Sequence, residues 1–84
     1  DDKSYKVNVS VFPNPGNAIV TVKLPDNHLF EQIQIVDALG RTVKTQTIID
    51  PISLVRVSDL AEGVYTINLF SAQGTQSEKL VISK

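Results

Sequence analysis

The segment Leu60-Ala61-Glu62-Gly63-Val64-Tyr65-Thr66-Ile67-Asn68-Leu69-Phe70 decides the fold. It reads as a turn feeding a central strand. Tyr65, Ile67 and Leu69 alternate onto one face, and Val64, Thr66, Asn68 and Phe70 onto the other, which is the period of a pleated strand. Leu60 and Tyr65 bracket the turn, where Gly63 takes a positive φ at little steric cost. A tyrosine placed here has a specific use. Its ring enters a core as the strand begins, and its hydroxyl returns to backbone nearby, as in the tyrosine corner of immunoglobulin-like sandwiches. The plain alternative is a core tyrosine with its hydroxyl in water. The Leu and Gly beside it favour the corner.

The pattern extends in both directions. Downstream, residues 71–76 with Gly74 read as a turn, and 77–83 as the last strand with Leu80 and Ile82 inward. Upstream, 52–57 reads as a weaker strand with Val55 and Val57 inward, in phase with Leu60. Residues 32–37, with Ile33 and Ile35 inward, and 41–48 form a hairpin through Asp37-Ala38-Leu39-Gly40. That sequence suits a type I turn, with Asp first and Gly fourth. Residues 18–24 place Ala18, Val20, Val22 and Leu24 on one face, and 5–11 place Tyr5, Val7, Val9 and Val11 on one face. Between them, Phe12-Pro13-Asn14-Pro15-Gly16-Asn17 is a stiff corner. Pro13 cannot donate to a ladder, Pro15 pushes Asn14 toward extended geometry, and Pro15-Gly16 suits a turn centre. No window sustains a helical period. The expectation is all-β: one immunoglobulin-like antiparallel β-sandwich of about seven strands over 5–84, with 1–4 a linker end. A closed barrel shares the same periodicity and competes with it.

Composition removes several kinds of function. The 84 residues carry a net charge of -1 with signs interspersed, which gives no electrostatic case for nucleic acid or an anionic membrane. No apolar run is long enough to span a bilayer, and no signal-peptide pattern is present. A start at Asp1 rather than Met reads as a piece of a larger protein. With no cysteine and His28 as the single histidine, neither a thiolate site nor a zinc site is expected. Asp26, Asp37, Asp50, Asp59 and Glu62 all fall at turns, where carboxylates cap backbone. No serine has a nucleophile-elbow setting, and the glycines are scattered. The chain is therefore read as no enzyme, with no catalytic, cofactor or metal residues: a scaffold that is itself recognised. A second apolar set, Ile19, Val36, Leu54, Val64, Phe70 and Val81, lies opposite the expected core. If clustered, it forms a docking face. If a strand register is off by one, part of it belongs to the core.

Three landmarks recur in an order that resembles a known family. Phe12-Pro13-Asn14-Pro15 follows the first strand, Leu60-Ala61-Glu62-Gly63-Val64-Tyr65 precedes the penultimate one, and Lys79-Leu80-Val81-Ile82-Ser83-Lys84 closes the chain. Each is weak alone. Together, with the Asp37-Ala38-Leu39-Gly40-Arg41 hairpin, they make the whole chain resemble the type A C-terminal sorting domain of the type IX (Por) secretion system of Bacteroidetes. Phe12 stands where the family often has Tyr, and Pro51 falls in a variable connection.

The resemblance implies a C-terminal address on exported cargo. The folded domain would be read by the outer-membrane type IX translocon and its shuttle components after passage through the periplasm. A gingipain-like cysteine protease acting as cell-surface sortase would then usually cut it off, with cargo joined to lipopolysaccharide or released. The upstream cargo domain in the same chain is the other partner, and neither nucleic acid nor membrane insertion is implied. Translocon recognition falls on Lys79, Leu80, Val81, Ile82, Ser83 and Lys84, with the terminal strand at a sheet edge and open to strand addition. The plain alternative is that Lys79 and Lys84 only protect an edge. Pro13, Asn14, Pro15, Leu60, Gly63 and Tyr65 would be structural, and Asp1, Asp2, Lys3 and Ser4 would border the sortase cut. A rival reading is an extracellular immunoglobulin-like binding or adhesion module.

Overall fold

Alternation sends one apolar row from each of two sheets into a shared interior. The computed structural model describes residues 8–26 and 29–84. Its strands are β1 Ser10–Phe12, β2 Ile19–Lys23, β3 Gln32–Val36, β4 Thr42–Thr47, β5 Ile52–Arg56, β6 Gly63–Ser71 and β7 Gly74–Ile82. They form two sheets, ordered β1-β2-β5 and β4-β3-β6-β7. Every pairing within the sheets is antiparallel. Two separate sheets, each with its own edges, make a sandwich rather than the competing barrel. Relative to the four-plus-three constant-type immunoglobulin arrangement, β4 has joined the sheet of β3, β6 and β7.

The core is the one alternation predicts. Val20, Val22, Leu24, Val55 and Val57 of the three-stranded sheet's side cluster with Ile33, Ile35, Tyr65, Ile67, Leu69, Leu80 and Ile82 of the four-stranded sheet, together with Phe30 and Leu60. Ala18, expected inward, is exposed; its carbonyl instead accepts the Val57 N–H at 2.7 Å. The registers expected for Ile33, Ile35, Val55, Ile67, Leu80 and Ile82 all place them inside.

The set Ile19, Val36, Leu54, Val64, Phe70 and Val81 stays outside the core. It does not form one docking face. Ile19 and Leu54 lie on the outer surface of the three-stranded sheet, and the other four on the outer surface of the four-stranded sheet. The sandwich interior separates the two groups.

Two boundaries differ from expectation. The first strand, expected over 5–11, is the three-residue β1, with Val9 and Val11 packed against the core; Tyr5 and Val7 lie outside the described residues. The expected 71–76 turn is only the two residues between Ser71 and Gly74, because Ser71 pairs with Gly74 and β7 starts there. Thr75-Gln76-Ser77 contains no apolar residue to signal a strand; pairing with β6 alone holds it in one. His28 and Asp1 to Ser4 also lie outside the described residues.

Local chemistry closes the turns. In the β3–β4 hairpin, Asp37 Oδ1 accepts the N–H groups of Leu39 and Arg41, both at 2.9 Å, and Asp37 Oδ2 pairs with the Arg41 guanidinium at 2.9 Å. Gly40 donates to the Asp37 carbonyl at 3.0 Å with φ +88°, a conformation that suits glycine. At the β5–β6 corner, Tyr65 is buried and donates its hydroxyl proton to the Ala61 carbonyl at 2.6 Å. Tyr65→Phe keeps the ring and removes this bond, so it is expected to cost about 1–2 kcal/mol in urea unfolding, in line with loss of a part-buried hydrogen bond.

Candidate functional site

The three sequence landmarks meet at one end of the sandwich, around the last turn of chain. The meeting point is built by the edge of β7. Ser71 and Gly74 close a two-residue hairpin, so they form a hydrogen-bonded pair and the pattern alternates from there. Gly74, Gln76, Glu78, Leu80 and Ile82 therefore turn their backbone groups toward β6, while Thr75, Ser77, Lys79 and Val81 turn theirs outward.

The outward groups near the C-terminus are already used. The Asn14 side-chain amide donates to the Lys79 carbonyl and accepts from the Val81 N–H, both at 3.0 Å. Gly16 then donates to the Val81 carbonyl and accepts from Ser83, both at 2.9 Å, in a parallel bridge opposite Ile82. Segment 13–16 thus lies along the edge as a short eighth element. Pro13 and Pro15 have no N–H; Asn14 reaches the edge through its side-chain amide and Gly16 through its backbone. Gly16 does not centre a turn of its own; it is buried, and a Cβ there would lie 2.6 Å from a Val20 methyl.

Lys84 folds the end back onto the β5–β6 corner. Its N–H donates to Glu62 Oε1 at 3.0 Å and its Nζ to the Ser58 carbonyl at 2.8 Å. Beside it, Gly63 and Ile82 are register partners, as are Tyr65 and Leu80. Leu60 is buried under the corner. So Pro13, Asn14 and Pro15, the Leu60–Tyr65 corner, and Lys79 to Lys84 form one connected structure. Leu80 and Ile82 point into the core, whereas Lys79 and Ser83 are exposed and Val81 is half-exposed, beside the exposed Val64.

Glu62, Ser58 and Gly16 were not singled out by sequence as partners of the terminal strand. A usable signal was present for Gly16. In Pro-Asn-Pro-Gly, only Asn14 and Gly16 retain N–H groups, and that of Gly16 is the one that bonds the β7 edge. For Ser58 and Glu62 there was none, since nothing local links them to residue 84. Asn14→Ala removes both amide bonds from an exposed position. It is expected to cost about 1–2 kcal/mol and to accelerate hydrogen exchange at the Val81 amide more than at Ile35, read by NMR.

No group of three or more metal-binding side chains occurs among the described residues. Two carboxylates titrate below their ordinary value of 3.8, both for structural reasons. Asp37 is lowered first by the Arg41 backbone N–H and then by its guanidinium; Asp59 is lowered first by its bond to Lys44, whose Nζ lies 3.3 Å away. A carboxylate lowered in the folded state adds stability above its unfolded value and loses it as pH falls through the folded one. The stability these two carboxylates contribute should therefore be held above the ordinary value of 3.8 and lost as pH falls below it, and Asp37→Asn should reduce that acid loss. Thermal unfolding between neutral and strongly acidic pH measures both.

Comparison with known proteins places these features in a family. No curated protein matches the chain. A family model described as "Secretion system C-terminal sorting domain" matches residues 10–83, which include all seven strands, the Asn14–Gly16 edge segment and the β5–β6 corner. The chain belongs to the family of C-terminal sorting domains of the type IX secretion system.

Proposed function

We propose that the domain is read in its folded form by the outer-membrane type IX translocon and its shuttle components, and that the surface read includes Lys79, Val81, Ser83 and Lys84. As a member of the sorting-domain family, the chain is a C-terminal secretion signal and implies export across the outer membrane. The observation that carries the finer reading is the convergence of three distant landmarks on the terminal strand. An address made from several segments exists only when the domain is folded. Asn14 and Gly16 occupy the outward backbone from the Lys79 carbonyl to the Ser83 N–H, so this part of the strand is read through side chains. Lys79 offers an exposed charge, which serves encounter rate and specificity more than affinity.

In this reading, a sortase then cuts near Asp1, Asp2, Lys3 and Ser4, upstream of β1, and cargo is attached to lipopolysaccharide or released. The test is a reporter with an export signal at its N-terminus and these 84 residues at its C-terminus. It is expressed in a type IX-competent strain and in the same strain lacking the translocon. Translocon-dependent appearance outside the cell is expected, and a smaller mature reporter marks the cut. A folded reporter held in the periplasm of both strains would refute the proposal.

A further inference from the structure

The four-stranded sheet ends at β4 on the side away from β7. Among the described residues, β3 is the only strand hydrogen-bonded to it. We infer that this edge pairs with the same edge of a second copy of the chain, β4 against β4 around a two-fold axis at Gln46. The inference goes beyond the sorting reading and does not depend on it.

The Ile48 N–H bonds back to the Glu31 carbonyl at 2.9 Å, which sets the parity of the strand. Gln46 and Lys44, in register with Ile33 and Ile35, bond toward β3 as Ile48 does. The N–H and C=O groups of Thr45 and Thr47 therefore point away from the sheet. Among the described residues, no backbone group meets them there. The edge also lacks the usual guards. β4 contains no proline, and its single charge, Lys44, is half-buried and tied to Asp59 at 3.3 Å. On the three-stranded sheet, by contrast, the Leu54 carbonyl of β5 is taken by the Gln46 side-chain amide at 3.2 Å, and Pro13 directly follows β1.

The strand is complementary to itself. Around Gln46, Thr45 of each copy lies opposite Thr47 of the other, so the outward groups of both strands satisfy one another. Cross-strand threonine pairs of this kind stabilise antiparallel strands. Val43, 40% exposed, falls level with Ile49 of the second copy, which is 87% exposed, so exposed aliphatic side chains cover each other at both ends. The charges fit as well. The segment is positive at its start, in Arg41 and Lys44, and negative at its end, in Asp50. Antiparallel pairing brings the exposed Arg41 beside the exposed Asp50 of the second copy, and sets Lys44 against Ile48 rather than against its own twin. The bulge at Val43 ends the ladder there. The two four-stranded sheets then join into one, with both terminal strands β7 left at its outer edges.

Sedimentation of the 84-residue chain over a range of concentrations reads the association. One short strand pair makes a small interface of the weak class, so the mass is expected to double at concentrations on the order of 100 μM. Two variants leave the core alone. Thr45→Pro removes an N–H that does not serve β3, and an edge position of this kind tolerates proline. Ile49→Lys changes an exposed residue just past the strand and sets a like charge beside Arg41 of the second copy. Each is expected to weaken dimerisation by about tenfold or more, with circular dichroism unchanged. The register has its own readout. The chain has no cysteine, so Gln46→Cys places a single thiol on the two-fold axis, at a strand spacing that a disulfide can bridge. It should oxidise to a covalent dimer about tenfold faster than Leu39→Cys, an exposed site at the β3–β4 hairpin tip. If Thr45→Pro unfolds, Ile49→Lys and the Gln46→Cys cross-link still decide the matter. A parent that stays monomeric up to about 1 mM would overturn the inference. So would a dimer that neither folded variant weakens, or equal oxidation rates for the two cysteine variants. A monomeric parent whose Ile49→Lys variant loses translocon-dependent export would assign the edge to a secretion-system component and also overturn it.

Discussion

Removing Ser83 and Lys84 is expected to stop export of a reporter while lowering the unfolding free energy by only about 1–3 kcal/mol. The residues lost make three hydrogen bonds: Ser83 N–H to Gly16, Lys84 N–H to Glu62 and Lys84 Nζ to Ser58. Both residues are exposed, so each bond competes with water and adds little. No core side chain leaves, because Ile82 and Leu80 remain in place. The Asn14 clamp on Lys79 and Val81 also survives, since neither of its bonds involves the deleted residues. Against a margin of roughly 4–12 kcal/mol for a chain of this length, the truncated domain should still fold. Urea unfolding measures the first effect and reporter export the second. A truncated reporter exported at the parental rate would place the address elsewhere on the domain.

The largest stability effect should come from Ile67→Ala. Ile67 has no exposed surface and sits in β6 between β3 and β7, facing Ile35 in register. Truncating a fully buried isoleucine costs about 2–5 kcal/mol, the lost transfer free energy plus the cavity left behind. That is a large share of the whole margin, so a substantial unfolded fraction is expected near physiological temperature. Val64→Ala, three positions away on the same strand, is the control. Val64 points outward and is 51% exposed, so its truncation should change stability by about 0.5 kcal/mol or less. The pair also tests whether the fold itself is the address. If export tracks the folded fraction, Ile67→Ala loses it in proportion; an unfolded yet exported variant would show that a linear tail suffices.

These expectations separate what could be read in one dimension from what could not. The alternation of Val20-Thr21-Val22, Ile33-Gln34-Ile35 and Tyr65-Thr66-Ile67 was sufficient to place the core, because a two-residue period leaves each side chain only two possible faces. The Asp37–Gly40 turn was equally legible, since its bonds close within five residues. The start of β7 was not. Thr75-Gln76-Ser77 carries no hydrophobic signal, and its strand geometry comes from the neighbouring β6. The start of β1 at Ser10 was hidden for the opposite reason, as Val9 and Val11 alternate whether or not a partner strand lies beside them.

The order of the landmarks was in the sequence; their contact was not. Asn14 reaches Lys79 and Val81 across 65 and 67 residues, and Lys84 reaches Glu62 and Ser58 across 22 and 26. Such contacts depend on which strand ends at a sheet edge and on how the two sheets stack, and no local period encodes either. By itself the sequence determined the core faces of most strands, the Asp37–Gly40 turn and the family. The tertiary structure decided what the outward backbone of β7 near the C-terminus is bonded to, because that follows from the pairing of β7 with β6 on one side and with a proline-framed segment on the other.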